Sequence, residues 1–210
     1  METDQVLIFE NCRTCSNRCF STGQVIKEIN QLISERDLIK RVKSKLPSPI
    51  LYHHMLRISL SGCPNSCSQP QIKDVGIQAQ RIAAVNKELC EGCGECVKSC
   101  PDKAIAVDKT ADIDKSKCLN CGLCIKSCPV NAIEEVDLGF RVLAGGKLGR
   151  RPHLAGTLYP LVGIDELVPI IAELLEVYLE QGEFGEKFGS VINRVGLENL
   201  RKREGERYAG

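Results

Sequence analysis

The chain has 210 residues with 28 Lys and Arg against 27 Asp and Glu, a net charge of +1. That balance excludes a surface built to coat nucleic acid, and the absence of Trp with only 4% aromatics calls for an aliphatic core. Thirteen cysteines in 210 residues would suit a secreted disulfide scaffold, but METDQVLIFENC has neither a basic start nor a long apolar run, so no signal peptide is expected. Apolar stretches such as Leu167–Leu175 are too short to span a membrane and contain a charge. The cysteines are therefore expected in a reducing cytoplasm, and as metal ligands.

Gln5–Phe9 reads as a strand leading into the first cysteine group, Cys12, Cys15 and Cys19. Ser21-Thr22-Gly23 then starts a helix. Val25, Ile26, Ile29, Leu32, Ile33, Ile39 and Val42 recur at helical spacing, predicting one amphipathic helix of about 20 residues that ends before Pro47 and Pro49. Met55–Ser61 alternates and reads as a strand running into Gly62-Cys63-Pro64-Asn65-Ser66-Cys67. Ile72–Gln80 reads as a third strand, and Phe140–Ala144 as a fourth, ending at Gly145-Gly146. A basic loop follows with Lys147, Arg150, Arg151 and His153, then helical segments near Asp165–Gln181 and Glu186–Lys202 whose apolar faces close a core.

Between the third and fourth of these strands lies a duplicated run. Cys90, Cys93, Cys96, Cys100 and Pro101 are followed 28 residues later by Cys118, Cys121, Cys124, Cys128 and Pro129. Each copy ends on an apolar pair, Ala104-Ile105 and Ala132-Ile133. This C-x2-C-x2-C-x3-C-P spacing is that of the bacterial ferredoxins with two 4Fe-4S clusters. Three cysteines wrap a tight loop around each cube and the fourth reaches across to the other. One set is then Cys90, Cys93, Cys96 and Cys128, the other Cys118, Cys121, Cys124 and Cys100. Gly92, Gly94 and Gly122 allow backbone N–H groups close approach. Paired zinc sites are the alternative, disfavoured by two complete runs.

Ile58–Cys67, ISLSGCPNSC, resembles the second half of the siroheme–4Fe-4S signature of sulfite and nitrite reductases. Pro70, Asp74-Val75-Gly76-Ile77, the ferredoxin insert and Arg141–Ala155 are similar to that family too, in the same order. The resemblance implies an α+β sulfite/nitrite reductase half-repeat, residues 1–82 and 137–210, with a ferredoxin-like domain inserted at 83–136. It implies a third 4Fe-4S cluster, a siroheme, and Cys67 as the thiolate shared between them, with Cys63 a cluster ligand. The first half departs from the family's C-x5-C spacing. Aligning the following helix makes Cys19 its second ligand and leaves the first between Cys12 and Cys15, with Cys12 favoured. The resemblance covers the cluster-binding half, so a second copy, another subunit or a smaller pocket is expected to supply what the other half provides in the family.

Siroheme carries eight carboxylates, and Arg and Lys suit them. The candidates are Arg13, Arg18, Arg57, Lys73, Arg141, Lys147, Arg150 and Arg151, above all the group opening on Gly145 and Gly146. His153 is a further candidate; His53 and His54 read as structural. The resemblance implies multi-electron reduction of a small oxyanion, sulfite before nitrite, fed by an electron donor protein or subunit, with no nucleic-acid partner and no membrane span, in a homo-oligomer or a complex. The rival reading is an electron-transfer iron–sulfur protein without siroheme.

Overall fold

The computed structural model describes residues 6–12 and 15–201. A five-stranded mixed sheet, in the order β1-β2-β3-β6-β7, is the centre of the larger part. Strands β1 (Leu7–Asn11), β2 (Leu56–Ser61) and β3 (Val75–Val85) run parallel, while β6 (Ile133–Ala144) and β7 (Gly156–Val162) add antiparallel. Between β1 and β2 lie α1 (Thr22–Glu35) and α2 (Leu38–Lys43), and α5 (Ile164–Gln181) and α6 (Phe188–Val195) follow β7.

The alternation in β2 and β3 gives the sheet two unlike faces. Ile58, Leu60, Val75, Ile77 and Ala79 are buried in one aliphatic core with Val25, Ile29, Leu167, Ile171 and Leu174 of the helices. Ser59, Ser61, Gln78 and Gln80 are buried too, and each is hydrogen-bonded, as burial demands. Ser59 Oγ donates to the Ser68 carbonyl at 2.8 Å, and Ser61 Oγ lies 2.7 Å from Ser68 Oγ. Gln78 Nε2 donates to Ser66 Oγ. Ser59, Ser61 and Gln78 thus hold the Gly62–Gln69 loop to the sheet, while Gln80 Nε2 donates to the Pro160 carbonyl at 3.1 Å.

Several elements differ from the sequence reading. The long helix is two, because Asp37 takes left-handed φ 50°. The break resets the helical phase, so Leu38 rather than Ile39 is buried with Val42. Residues Pro70–Ile72 form a 3-10 turn, and β3 starts at Val75 and runs on to Val85. Strand β6 is similarly longer than Phe140–Ala144. The two pair from Val75↔Ala144 to Val85↔Ile133, with a register shift between Ile82 and Ala83. Strand β7 was not legible: Gly156, Pro160 and Gly163 read as breakers, yet β7 is a sheet edge, where Pro costs little. The last helical segment is interrupted at Gly196, φ 85°.

At the far end of the β3–β6 ladder is a second, smaller core. Ala83 and Ile133 from the strands pack with Cys96, Ile105, Ala111 and Cys124. It includes α3 (Glu95–Ser99), α4 (Leu123–Ser127) and the hairpin of β4 (Ile105–Val107) and β5 (Ala111–Ile113).

Candidate functional site

The two cysteine runs fold as near copies. Helices α3 and α4 both start from a left-handed glycine, Gly94 at φ 78° and Gly122 at φ 69°. Two residues earlier Gly92 has φ 67° and Asn120 φ 60°; the sequence reading named only the glycines, though Asn also tolerates this region. After each crossing Cys-Pro comes another left-handed residue, Lys103 or Asn131. Ser99 Oγ and Ser127 Oγ meet at 2.8 Å where the copies face one another.

Each fourth cysteine crosses. Cys90, Cys93, Cys96 and Cys128 line one cavity with Gly92, Gly94 and Ile133. Cys100, Cys118, Cys121 and Cys124 line a second with Arg81, Asn120 and Gly122. Backbone N–H groups point at the thiols: Ala111 to Cys90 at 3.3 Å, Ala104 to Cys100 at 3.3 Å, Ala132 to Cys128 at 3.2 Å and Asn120 to Cys118 at 3.4 Å. Such donors stabilise a thiolate once it binds metal. Burial pushes the Cys124 thiol up to about 11 and also raises Cys96 and Cys121, so loading these cavities must release protons.

A third set of thiols is assembled by the sheet, from residues far apart in sequence. Parallel pairing of β1 with β2 ends at Asn11↔Leu60, which places Cys12 and Cys15 beside Gly62 and Cys63. Cys12, Cys15, Cys63 and Cys67 line a cavity of about 410 Å³ with Asn11, Ser61 and Gly62. The Gly62 N–H donates to Cys12 Sγ at 3.2 Å, and Asn65 Nδ2 to Cys67 Sγ at 3.0 Å. Ser66 at φ 59° and Gln69 at φ 56° carry left-handed backbone on either side of Cys67, each costing about 1 kcal/mol or more. Cys67 and Cys15 are exposed.

Cys19 does not line this cavity. It is buried, with its N–H on the Gly62 carbonyl at 2.6 Å and its Sγ donating to the Cys121 carbonyl at 3.4 Å. Burial first, then the neighbouring Cys63, pushes its thiol up to about 11. The expectation that Cys19 and Cys12 complete the third set thus differs from the geometry, in which both Cys12 and Cys15 line the cavity. The alignment rested on the helix start, whereas the Cys19 side chain is held by the Cys121 carbonyl.

In no cavity do the thiols converge on a point: among the described residues, no three His, Cys, Asp or Glu side chains could share a single metal ion. Four thiols spread around a glycine-rich hollow suit a four-iron cube better than a lone zinc, whose ligands meet at about 2.3 Å.

The basic candidates gather elsewhere. Arg57, Lys73, Gly146 and Lys147 line a cavity of about 220 Å³ with His53, His54, Asp74 and Lys187. It lies at the opposite end of β2 from Cys63, about 20 Å away at the usual strand rise. Asp74 accepts from the Arg57 N–H at 2.9 Å, and burial raises its carboxyl to about 6. Lys73 pairs with Glu10, and Lys147 donates to Ser190 Oγ at 3.1 Å. The glycine pair serves packing: a Cβ on Gly146 would sit 2.5 Å from the Lys73 carbonyl, and one on Gly145 2.9 Å from Asn193 Oδ1. Arg150, Arg151 and His153 are exposed on the Lys147–His153 turn. Arg141, half-buried, stands opposite Gln78. Arg18 is exposed near Gly62, and Arg13 lies outside the described residues. Among the described residues, no cation lines the 410 Å³ thiol cavity.

Arg81 and Lys187 were missed by sequence reasoning, where each reads as one more surface charge. Arg81 pairs with Glu135 at 2.6 Å, donates to the Cys19 carbonyl at 2.9 Å, and takes part in a bridge to Cys121.

Similarity to known proteins extends over nearly the whole chain. A family model described as the nitrite and sulphite reductase 4Fe-4S domain matches residues 5–210. The coenzyme F420-dependent sulfite reductase of Methanocaldococcus jannaschii is 35% identical over 188 residues, 87% of this chain and 27% of that protein. One of the subunits of the anaerobic sulfite reductase of Salmonella typhimurium is 36% identical over 67 residues, 32% of this chain and 19% of that relative. The chain thus spans well under two thirds of these relatives. Among solved structures, dissimilatory sulfite reductase I superposes with a TM-score of 0.65 at 19% identity, covering 96% of this chain and 52% of that one. The Mycobacterium tuberculosis NirA protein gives 0.51 at 19% identity, covering 92% and 26%. At such identity these two matches speak for the fold. No described helix is long and apolar enough to cross a membrane. With the family model matched over nearly the whole length and the fold shared with sulfite reductase, the chain belongs to the nitrite and sulfite reductase 4Fe-4S domain family.

Proposed function

We propose that this chain is the cluster-bearing, electron-transferring part of a sulfite/nitrite reductase-type oxidoreductase, and that it holds three 4Fe-4S clusters. The observation that carries the reading is the gathering of twelve of the thirteen cysteines into three sets of four, each around its own cavity. The inserted unit, residues 83–136, holds two sets: Cys90, Cys93, Cys96 and Cys128, and Cys100, Cys118, Cys121 and Cys124. The host, 1–82 and 137–210, holds the third with Cys12, Cys15, Cys63 and Cys67. When bound, such clusters accept and donate single electrons, at potentials set partly by hydrogen bonds to their sulfurs. The chain's own part is to supply thiolates, aim N–H groups at them, and keep the sites close together.

Siroheme fits this chain less well. An exposed Cys67 could share its thiolate with a heme iron, but none of the described residues lining that cavity is a cation its carboxylates could pair with. Arg57, Gly145, Gly146, Lys147, Arg150 and Arg151, the set expected to cradle it, lie toward the other end of β2. A siroheme at Cys67 therefore needs a wall from a second copy of the chain or another subunit, and we propose a homo-oligomer or complex for that reason. Sulfite is then the first substrate and nitrite the second, with a soluble donor protein feeding the clusters in a reducing cytoplasm. The uncharged described lining of that cavity supports a second reading, an electron-transfer subunit that holds no siroheme itself.

Acid-acetone extraction of anaerobically purified protein separates the two. The reductase reading predicts a tetrapyrrole pigment and sulfide release from sulfite with reduced viologen. A colourless extract from protein with full cluster content would leave the electron-transfer subunit.

A further inference from the structure

The thirteenth cysteine sits between two of the cages. Cys19 Sγ donates to the Cys121 carbonyl at 3.4 Å, and Cys19 N–H to the Gly62 carbonyl at 2.6 Å. Cys121 lines the downstream cavity, and Gly62 lines the upstream one next to Cys63. A single residue therefore links the two through an unbroken run of covalent and hydrogen bonds. Arg81 braces the same seam: its guanidinium donates to the Cys19 carbonyl at 2.9 Å and its backbone N–H to Asn120 at 2.7 Å. Lys126 adds a contact from α4 to the Ser16 carbonyl at 2.6 Å. None of these contacts involves a cysteine of the Cys90, Cys93, Cys96 and Cys128 cavity.

We infer that Cys19 is a positioning residue, not a cluster ligand: it couples the host cage to the Cys100, Cys118, Cys121 and Cys124 cage and makes that cage its neighbour. The other ferredoxin-type cage then lies on the outer side, toward a donor. This rests on the three-cluster reading above. The physical reason for a thiol here is that Cys19 itself is buried in the seam, and that a donor on the Cys121 carbonyl withdraws negative charge from the backbone around that cluster. Removing the donor makes reduction there harder.

The test is anaerobic iron analysis and an EPR-monitored redox titration of full-length wild type, Cys19→Ser and Cys19→Ala. Wild type near eight iron per chain, instead of the roughly twelve of three cubes, would sink the three-cluster reading itself. With wild type near twelve, we expect both variants to keep twelve. Cys19→Ala should lower the potential of one cluster of three, and Cys19→Ser, which keeps a donor, should restore it. Iron falling by about a third in both variants would make Cys19 a ligand and overturn the inference, as would three unmoved potentials in Cys19→Ala. If Cys19→Ala does not fold, half-reduced wild type decides. Magnetic coupling of the host cluster to one ferredoxin-type cluster, broadened away on Arg81→Gln, supports the seam; coupling unaltered by that substitution contradicts it.

Discussion

The downstream and upstream cysteine groups present similar sets of four thiols by opposite routes. In Cys90–Pro129 spacing does nearly everything: left-handed residues at fixed places in each copy shape the cavity, and a small core of Ala83, Ile105, Ala111 and Ile133 suffices to hold it. Upstream, Cys12 and Cys63 are 51 residues apart in sequence, and the β1–β2 pairing, the Gly62 contacts to Cys12 and Cys19, and the Ser59, Ser61 and Gln78 contacts bring their loops together. A local cage should survive damage to the host sheet that a long-range cage cannot.

Ile77→Asp is the harshest way to test that contrast. It puts a charge in a position fully buried in the host core, at a cost on the order of 4 kcal/mol. Iron should fall from about twelve to about eight per chain, with ferredoxin-type EPR signals retained. Loss of all iron would show that the downstream cages depend on the host.

Gly146→Ala should come next. Its Cβ would meet the Lys73 carbonyl at 2.5 Å, a backbone atom that cannot step aside. Urea unfolding of the host transition should show a loss of about 2 kcal/mol or more, without change in the downstream clusters.

Gly122→Ala and Gly94→Ala sharpen the comparison inside the duplicated run. Both glycines are left-handed, so both variants carry about 1–2 kcal/mol of backbone strain. A Cβ at Gly122 also meets Arg81 Cδ at 2.5 Å, whereas nothing lies within 4 Å at Gly94. Thermal loss of visible cluster absorbance should therefore begin at lower temperature in Gly122→Ala than in Gly94→Ala.

The smallest effect concerns pH. Burial raises the Asp74 carboxyl to about 6 in the folded protein, against about 3.9 unfolded. A raised carboxyl favours folding while protonated, so its contribution is present at low pH and lost as pH rises through about 6. Between pH 5 and pH 7.5 the host should lose about 1 kcal/mol, and Asp74→Asn should flatten that slope in urea titrations.

How far the sequence revealed this follows the same division. The crossing sets of the duplicated run were legible because the ligands, the left-handed turns and the apolar pairs recur at one spacing. Strands β2 and β3 and both faces of the sheet were legible from alternation in ISLS and IQAQ. The break at Asp37 was not, since nothing local distinguishes a left-handed Asp from a helical one, and neither was β7, whose Pro160 is tolerated only at an edge. The placement of Cys19 depended on how a loop turns against α4, a tertiary contact with no local signature. The basic loop misled for a similar reason: Gly145 and Gly146 are glycine because the chain's own atoms crowd them.

The claim that the host builds its own four-thiol cage is tested most directly by iron analysis of anaerobically reconstituted wild type beside Cys63→Ala. Cys63 lines neither of the two downstream cavities. We predict about twelve iron per chain for wild type and about eight for the variant, with both downstream clusters intact. Equal iron in the two proteins, at eight or at twelve, would contradict it.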